Sequence, residues 1–202
     1  MEKEIKPPSH ITSDGRVRRS ERSRQVIIDA MLALMHEGNL IPTAQQVADR
    51  ADIAIRTVFR HFSEMEMLYA QMDESIRDSY ENLFINCDRD GSLEERVLHA
   101  VELRATAYTK LTKLIVANLS LLWRSPTLRK SYLRNQKHLR KELELWLPEL
   151  NDLNDEEQEA IDAMASFEFW NRMHDYQGLS RSACIDIIYR LILGYLTPKA
   201  AA

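Results

Sequence analysis

Arg56, Thr57, Arg60 and His61 lie within six residues of one another and bring together two guanidinium groups, a hydroxyl and an imidazole with no acid among them. Guanidinium donors match phosphate oxygens and can grip a guanine edge through two parallel hydrogen bonds, so the chemistry this cluster suits is recognition of a polyanion. At 100° per residue, the four polar groups fall on one arc of a helix, and Ile55, Val58, Phe59 and Phe62 fall on the other. One arc is built for burial and the opposite one is cationic. Taken alone, the nine residues from Ala54 to Phe62 fit an ordinary surface helix with a solvated basic face equally well. The flanking elements decide.

Upstream, Ile27, Ile28, Met31, Leu32, Leu34 and Met35 keep helical spacing as far as Gly38, a natural C-terminal stop. After Pro42, Thr43 and Gln46 have the spacing of a capping box, and a short helix is expected from Ala44 to about Ala51. A break at 52–54 separates it from the cationic segment. Two short helices joined by a tight turn, the second basic on its outer face, form a helix-turn-helix arrangement. Beyond it, capping boxes are expected at Ser63 to Glu66, Ser92 to Glu95 and Asn154 to Glu157, with further caps at Ser125 before Pro126 and at Ser180. The helix that begins after Asn154 is expected to run to about Gln177. No stretch alternates with period two, so the fold class is all-α.

The 202 residues are 45% hydrophobic, enough for a real core, and carry a net charge of −4. Between residues 16 and 62, however, eight arginines face five acids, so a basic end is joined to an acidic body. Residues 1–20, with Pro7, Pro8 and Gly15, are expected to form a disordered basic arm. Residues 21–66 are expected to form the helix-turn-helix domain, and residues 67–202 a ligand-binding and dimerisation domain. The N-terminus has no apolar signal region and no span suits a bilayer, which predicts a cytoplasmic protein with no membrane partner. Cys87 and Cys184 are far apart and read as small buried hydrophobes. No metal or other cofactor is expected. His36, His61, His99, His138 and His174 have no ligand spacing, no glycine-rich phosphate loop is present and no nucleophile signature appears, which argues against an enzyme.

Near the C-terminus, Ile161, Met164, Ala165, Phe167, Phe169, Trp170 and Met173 project around nearly the whole circumference of their helix. In the last helix Cys184, Ile187, Ile188, Leu191 and Tyr195 belong to a broad apolar stripe. Such helices need cover on several sides. Pairing with the same two helices of a second copy, through Phe169, Met173, Cys184, Ile187, Ile188, Leu191 and Tyr195, predicts a four-helix homodimer interface; packing inside a monomer is the alternative.

The ordered set of Gly38, Thr43, Val47, Ala48, Ala51, Ile53, Thr57, Val58, Phe59, Arg60, His61, Phe62 and Leu68 resembles the DNA-binding domain of TetR-type (TetR/AcrR) transcriptional regulators over about residues 22–70. The run from Glu168 to Ser180 looks like the junction of the two dimer helices in some members of that family. The resemblance implies an N-terminal three-helix DNA-binding domain and a larger helical domain that binds an inducer and dimerises. It implies a phosphate contact for Thr43, a major-groove role for Arg56 and Thr57, and a backbone contact for His61. Gln45, Phe59, Arg60 and Arg19 of the basic cluster are assigned to the same DNA surface. Phe59 stands where tyrosine is common in the family, Asp52 where a turn glycine is usual, Ala54 where a capping serine is usual and Met65 where lysine is common. Arg104, Tyr108, Trp123, Tyr132, Trp146, Phe167 and Trp170 are candidate lining for a small-molecule cavity, and packed core is the competing role of each.

The expected activity is that of a dimeric repressor released from a palindromic double-stranded operator by a small-molecule inducer. An architectural DNA-binding protein of the same fold, without an inducer, is the alternative, and activation in place of repression stays open.

Overall fold

The computed structural model describes residues 11–85 and 89–197; Cys87 and the first ten residues of the expected arm lie outside them. Among the described residues there are nine α-helices and no strand: α1 (Ile11–His36), α2 (Ala44–Arg50), α3 (Ile55–His61), α4 (Met65–Ile85), α5 (Leu93–Leu121), α6 (Pro126–Trp146), α7 (Asp155–Met164), α8 (Phe167–Asn171) and α9 (Arg181–Leu196). A 3₁₀ turn, Pro148–Asp152, follows α6, and a π turn, Arg172–Tyr176, follows α8. None of these helices is long and apolar enough to cross a membrane.

Residues 11–20, expected to be disordered, instead form the start of α1. Ile27, Ile28, Met31 and Met35 are buried and fix the second half of the helix. Once such a segment is held, each added residue gains a hydrogen bond without a new nucleation cost, so helix propagates through exposed polar residues. Absence of apolar periodicity hid this extension.

Polar side chains close most helix starts. Both bonds of the capping box are made at Thr43 with Gln46, Ser92 with Glu95 and Asn154 with Glu157, while Ser125, Ser166 and Ser180 each accept from a first-turn N–H. Two helix ends share one solution. At the end of α1, Gly38 N–H donates to Met35 O and Asn39 N–H to Leu34 O, with Gly38 at φ 101°. At the end of α2, Asp52 N–H donates to Asp49 O and Ile53 N–H to Ala48 O, with Asp52 at φ 52°. These are paired Schellman bonds, which need a left-handed residue at the pivot. Aspartate tolerates that region better than most side chains, so the helix-turn-helix keeps its turn without glycine.

Two apolar cores result. The N-terminal one joins α1, α2 and α3 through Ile27, Met31, Val47, Ala48, Val58 and Phe62, and continues past residue 66 into Leu68, Tyr69 and Met72 of α4. Ala117 and Leu121 of α5 and Leu128 of α6 close it from the other side. The C-terminal core packs the first half of α5 against α6, α7, α8 and α9 around Val101, Tyr108, Leu143, Ile161, Trp170 and Ile188.

The single helix expected from Asn154 to about Gln177 is broken at Ala165–Ser166. Ser166 Oγ accepts the Phe169 N–H at 3.2 Å, which would otherwise bond Ala165 O. The freed carbonyl is taken by buried donors from α5: Tyr108 Oη at 2.7 Å and Arg104 Nη1 at 3.2 Å. Arg104 also donates to Leu139 O at 2.5 Å, so one buried guanidinium ties α5, α6 and the α7 terminus together.

Two substitutions test the helix-turn-helix geometry. Asp52→Val, which places a β-branched residue at positive φ, is expected to lower unfolding free energy by about 1–2 kcal/mol, with Asp52→Gly close to wild type. Ala54 has extended dihedrals at the start of α3 but no side-chain cap, so Ala54→Ser is expected to stabilise by about 1 kcal/mol. Urea unfolding followed by circular dichroism measures both.

Candidate nucleic-acid interface and effector cavity

Helix α3 is held from one side only. Val58 and Phe62 are 1% exposed and Ile55 is half-buried, while Arg56 and Arg60 point to solvent. Phe59 departs from the sequence reading: it is 48% exposed and lies beside the cationic face, outside the buried arc. A seven-residue helix docked along one narrow seam buries little more than the i, i+4 pair Val58 and Phe62, and Phe59 lies at the margin of that seam. Arg60 and His61 occupy the last turn, where positive charge complements the helix dipole.

The other basic residues are more constrained. Arg50 makes a two-bond ion pair with Glu37, raising its own pKa and lowering that of the carboxylate, chiefly through those hydrogen bonds, and so joins α2 to α1. Arg24 lies 4.8 Å over the Phe62 ring, a cation–π contact that seats α1 on the end of α3. Arg19 is exposed on α1, its Nε 3.4 Å from Gly15 O. Thr43 is exposed, but its hydroxyl is engaged with Gln46, accepting the backbone N–H at 3.3 Å and donating to Oε1 at 3.1 Å. Gln45 donates to Asp49 at 2.6 Å within α2. Thr57 is half-buried and Met65 packs against the N-terminal core. Arg56, Arg60, His61 and Phe59 thus form one continuous surface, with Thr43, Gln45 and Arg19 on neighbouring helices. Burial pushes the His61 imidazole below its ordinary range, Arg60 and Arg24 add to the shift, and Glu21 opposes it.

A second feature lies where the two cores meet. A cavity of about 90 Å³ opens between α4, α5, α6 and the start of α8. Tyr108, Tyr132 and Phe167 from the sequence-derived set line it, with Leu111, Leu114 and Ile115. Phe167 meets Tyr108 edge to face at 5.6 Å, and the Tyr132 hydroxyl donates to Glu168. The other four candidates are elsewhere. Trp123 is 81% exposed on the α5–α6 turn. Trp146 is buried in the C-terminal core, edge-on to His99 at 6.3 Å. Trp170, stacked on His174 at 5.5 Å, and Arg104 border a void of about 10 Å³, room for no more than a water.

Sequence reasoning missed the polar lining residues Asp73, Asn118, Asn135, Gln136 and His138. A signal was present for the first of these. Asp73 follows Tyr69 by four residues and so puts an acid on the inward face of α4.

Among the expected dimer residues, Met173, Cys184 and Ile188 are buried in the protomer's own core and have little surface to give a partner. Burial also pushes the Cys184 thiol pKa upward. Phe169 and Ile187 are half-buried, and Leu191 and Tyr195 are 39% and 42% exposed. The outward positions of α9 and the α8 edge are the surface that is left.

No family model matches the sequence, and no curated protein is significantly similar to it. Solved structures do match. A transcriptional regulator from Rhodococcus sp. Rha1 aligns over 87% of this chain and 96% of its own, with 16% identity and a TM-score of 0.63. The multidrug binding protein EbrR complexed with imidazole aligns over 98% of this chain and 100% of its own, with 18% identity and a TM-score of 0.60. A TetR/AcrR-family transcriptional regulator from Aquifex aeolicus VF5 aligns over 85% and 98%, with 15% identity and a TM-score of 0.55. The chain has the all-α fold of TetR-type transcriptional regulators.

The His61 environment sets a pH dependence. Because its folded pKa lies below the unfolded value of 6.5, the unfolded chain binds more protons in that interval, and stability falls as pH drops through about 6.5 toward the folded pKa. Urea unfolding between pH 7.5 and 5.5 is expected to show this loss, with a shallower slope in His61→Gln.

Proposed function

We propose that this protein is a sequence-specific DNA-binding transcriptional regulator. It acts as a dimeric repressor, and a small molecule in the α4–α5–α6 cavity releases it from a palindromic operator. The observation that carries the reading is the outward cationic face of α3, where Arg56 and Arg60 stand free of the core that fixes the helix through Val58 and Phe62. Arg56 reads a base edge, Arg60 meets a base or phosphate, His61 and Thr43 meet the backbone, and Phe59 stacks against sugar. Thr43 exchanges its bond to Gln46 Oε1 for one to phosphate, and the cap survives because Thr43 still accepts the Gln46 N–H. Two copies pair through Leu191, Tyr195, Ile187 and Phe169 and present two recognition helices to successive turns of the duplex.

The fold shared with EbrR, described as a multidrug binding protein, supports the small-molecule half of the reading. Inducer action follows from position. Helix α4 sends Leu68, Tyr69 and Met72 into the N-terminal core and Asp73 into the cavity wall, so a ligand that prefers one α4 placement shifts the spacing of the two recognition helices.

The test is enrichment of fragmented genomic DNA from the source organism, followed by sequencing. Wild type is expected to retain a palindrome, and the Arg56→Ala, Arg60→Ala double variant to lose it, each base-reading arginine accounting for about 1–3 kcal/mol of discrimination. Equal enrichment by both proteins, or no enriched sequence at all, would sink the assignment of α3.

A further inference from the structure

We propose that the turn between α5 and α6 is a second DNA-contact site: Arg124, with Arg129 and Lys130 beside it, holds backbone phosphate, and Trp123 packs its ring on the neighbouring deoxyribose. The inference rests on the reading of α3 as the recognition helix, and it adds the larger domain to the surface that meets the duplex.

Charge singles this segment out. Between Glu102 and Glu142 the sequence holds ten lysines and arginines and no acid, in a chain whose net charge is −4. Part of that charge is used within the protomer: Arg104 donates to Leu139 O, Lys113 to His36 O, and Arg134 faces Glu74. Arg129 and Lys130, exposed on the first turn of α6, have no ion pair or hydrogen bond among the described residues. Arg124 has a loose one. Its Nη2 lies 3.6 Å from Glu66 Oε1, and the two side chains are 43% and 30% exposed. Such a pair contributes little, so a phosphate oxygen replaces the carboxylate at small cost and takes up a guanidinium that offers parallel N–H donors. Beside it Trp123, 81% exposed, is the most exposed large apolar side chain among the described residues. An aromatic ring next to free cations is the pairing that nucleic-acid surfaces use, the cations for phosphate and the ring for a stacked apolar face.

Position brings the turn to the end of the molecule that carries α3. Helices α4 and α6 run side by side in the same direction, with Glu66 opposite Arg124 and Glu74 opposite Arg134. The head of α6 therefore lies at the head of α4, which begins at Met65, directly after α3 ends at His61. Met65 brings no charge there and packs against the N-terminal core, so Arg124 supplies the cation from the other domain. The turn is firmly held. Leu121 and Leu128 on either side of it are buried in the N-terminal core, and Ser125, 2% exposed, caps α6 by accepting the Leu128 N–H at 3.3 Å. Helix α5 lines the cavity through Leu111, Leu114 and Ile115 and ends at Leu121, so a shift of α5 reaches the phosphate contact without passing through α4.

The test is binding of the full-length protein to labelled duplexes of about four helical turns, one bearing a retained palindrome and one of random sequence, read by fluorescence anisotropy across a salt series. A phosphate contact contributes about −0.9 to the slope of log affinity against log salt, so Arg124→Gln is expected to flatten the slope by about one per protomer on both duplexes, and Arg124→Lys to keep it. The double variant Glu66→Gln, Arg124→Gln separates contact from shielding. A slope as flat as in Arg124→Gln alone supports the contact; return to the wild-type slope means that Arg124 only neutralises Glu66 and overturns the proposal. Trp146 and Trp170 are buried, so acrylamide quenching of wild-type fluorescence reports Trp123. DNA is expected to cut that quenching to the level of Trp123→Phe. An unchanged slope in Arg124→Gln, or unchanged quenching on binding DNA, overturns the proposal, and the quenching arm needs no variant of Arg124 to fold. Arg56→Ala, Arg60→Ala is run on the same duplexes. If it loses the palindrome preference while Arg124→Gln keeps the wild-type slope, the α3 reading stands and the second site fails; if only Arg124→Gln departs from wild type, the second site stands and the α3 reading fails. No binding of either duplex by wild type overturns both.

Discussion

A helix of 29 residues is too long for one small core to cover, and α5 meets that constraint by dividing its length between two. Val97, Val101, Ala105 and Tyr108 pack with α6 to α9, whereas Ala117 and Leu121 pack under α1 to α4. Between these stretches lie Leu111, Leu114 and Ile115, and there the cavity opens. The cavity is therefore a consequence of the handover between cores. Any change in how α5 beds into one core is felt in the other, because the helix is a continuous rigid element.

The same division explains the polar interior. Side chains at a junction between cores cannot all be apolar without merging the two, and here Asp73, Asn118 and Asn135 form a part-buried tie across α4, α5 and α6. Deeper in, Arg104 and Tyr108 serve the opposite purpose: they satisfy the carbonyl released where α7 gives way to α8. One network is saturated with acceptors of its own backbone. The other leaves Asn118 Oδ1 without a hydrogen-bond partner.

What was legible in the sequence follows the range of the interactions. Helix starts could be read because a cap is a local event: Thr43, Ser92 and Asn154 each meet a partner three residues on. The exact turn between α2 and α3 was less readable, because Asp52 stands where glycine is usual; the turn is kept because aspartate tolerates the positive φ. The exposure of Phe59 was not readable, because a nine-residue pattern fixes an apolar arc but not how wide a seam its neighbours offer. The break at Ser166 was hidden because the run is apolar on all sides and the orphaned carbonyl is satisfied by residues about 60 positions away. For the cavity, large aromatics misled: Trp146 and Trp170 fill the core and Trp123 stands in solvent, while the informative residue was an acid on an inward face.

Lys113 Nζ donates to the carbonyl of His36, so α5 is anchored to the last residue of α1 at 2.5 Å. With 26 residues at about 1.5 Å each, α1 is a rod of about 39 Å whose second half, held through Ile27, Ile28, Met31 and Met35, turns with the N-terminal core. A rotation of about 5° at that fastening sweeps the opposite end through about 3 Å, the length of one hydrogen bond. In mechanical terms α1 is an amplifier: its pivot rests on the helix that lines the cavity, and its free end carries Arg18, Arg19 and Arg22.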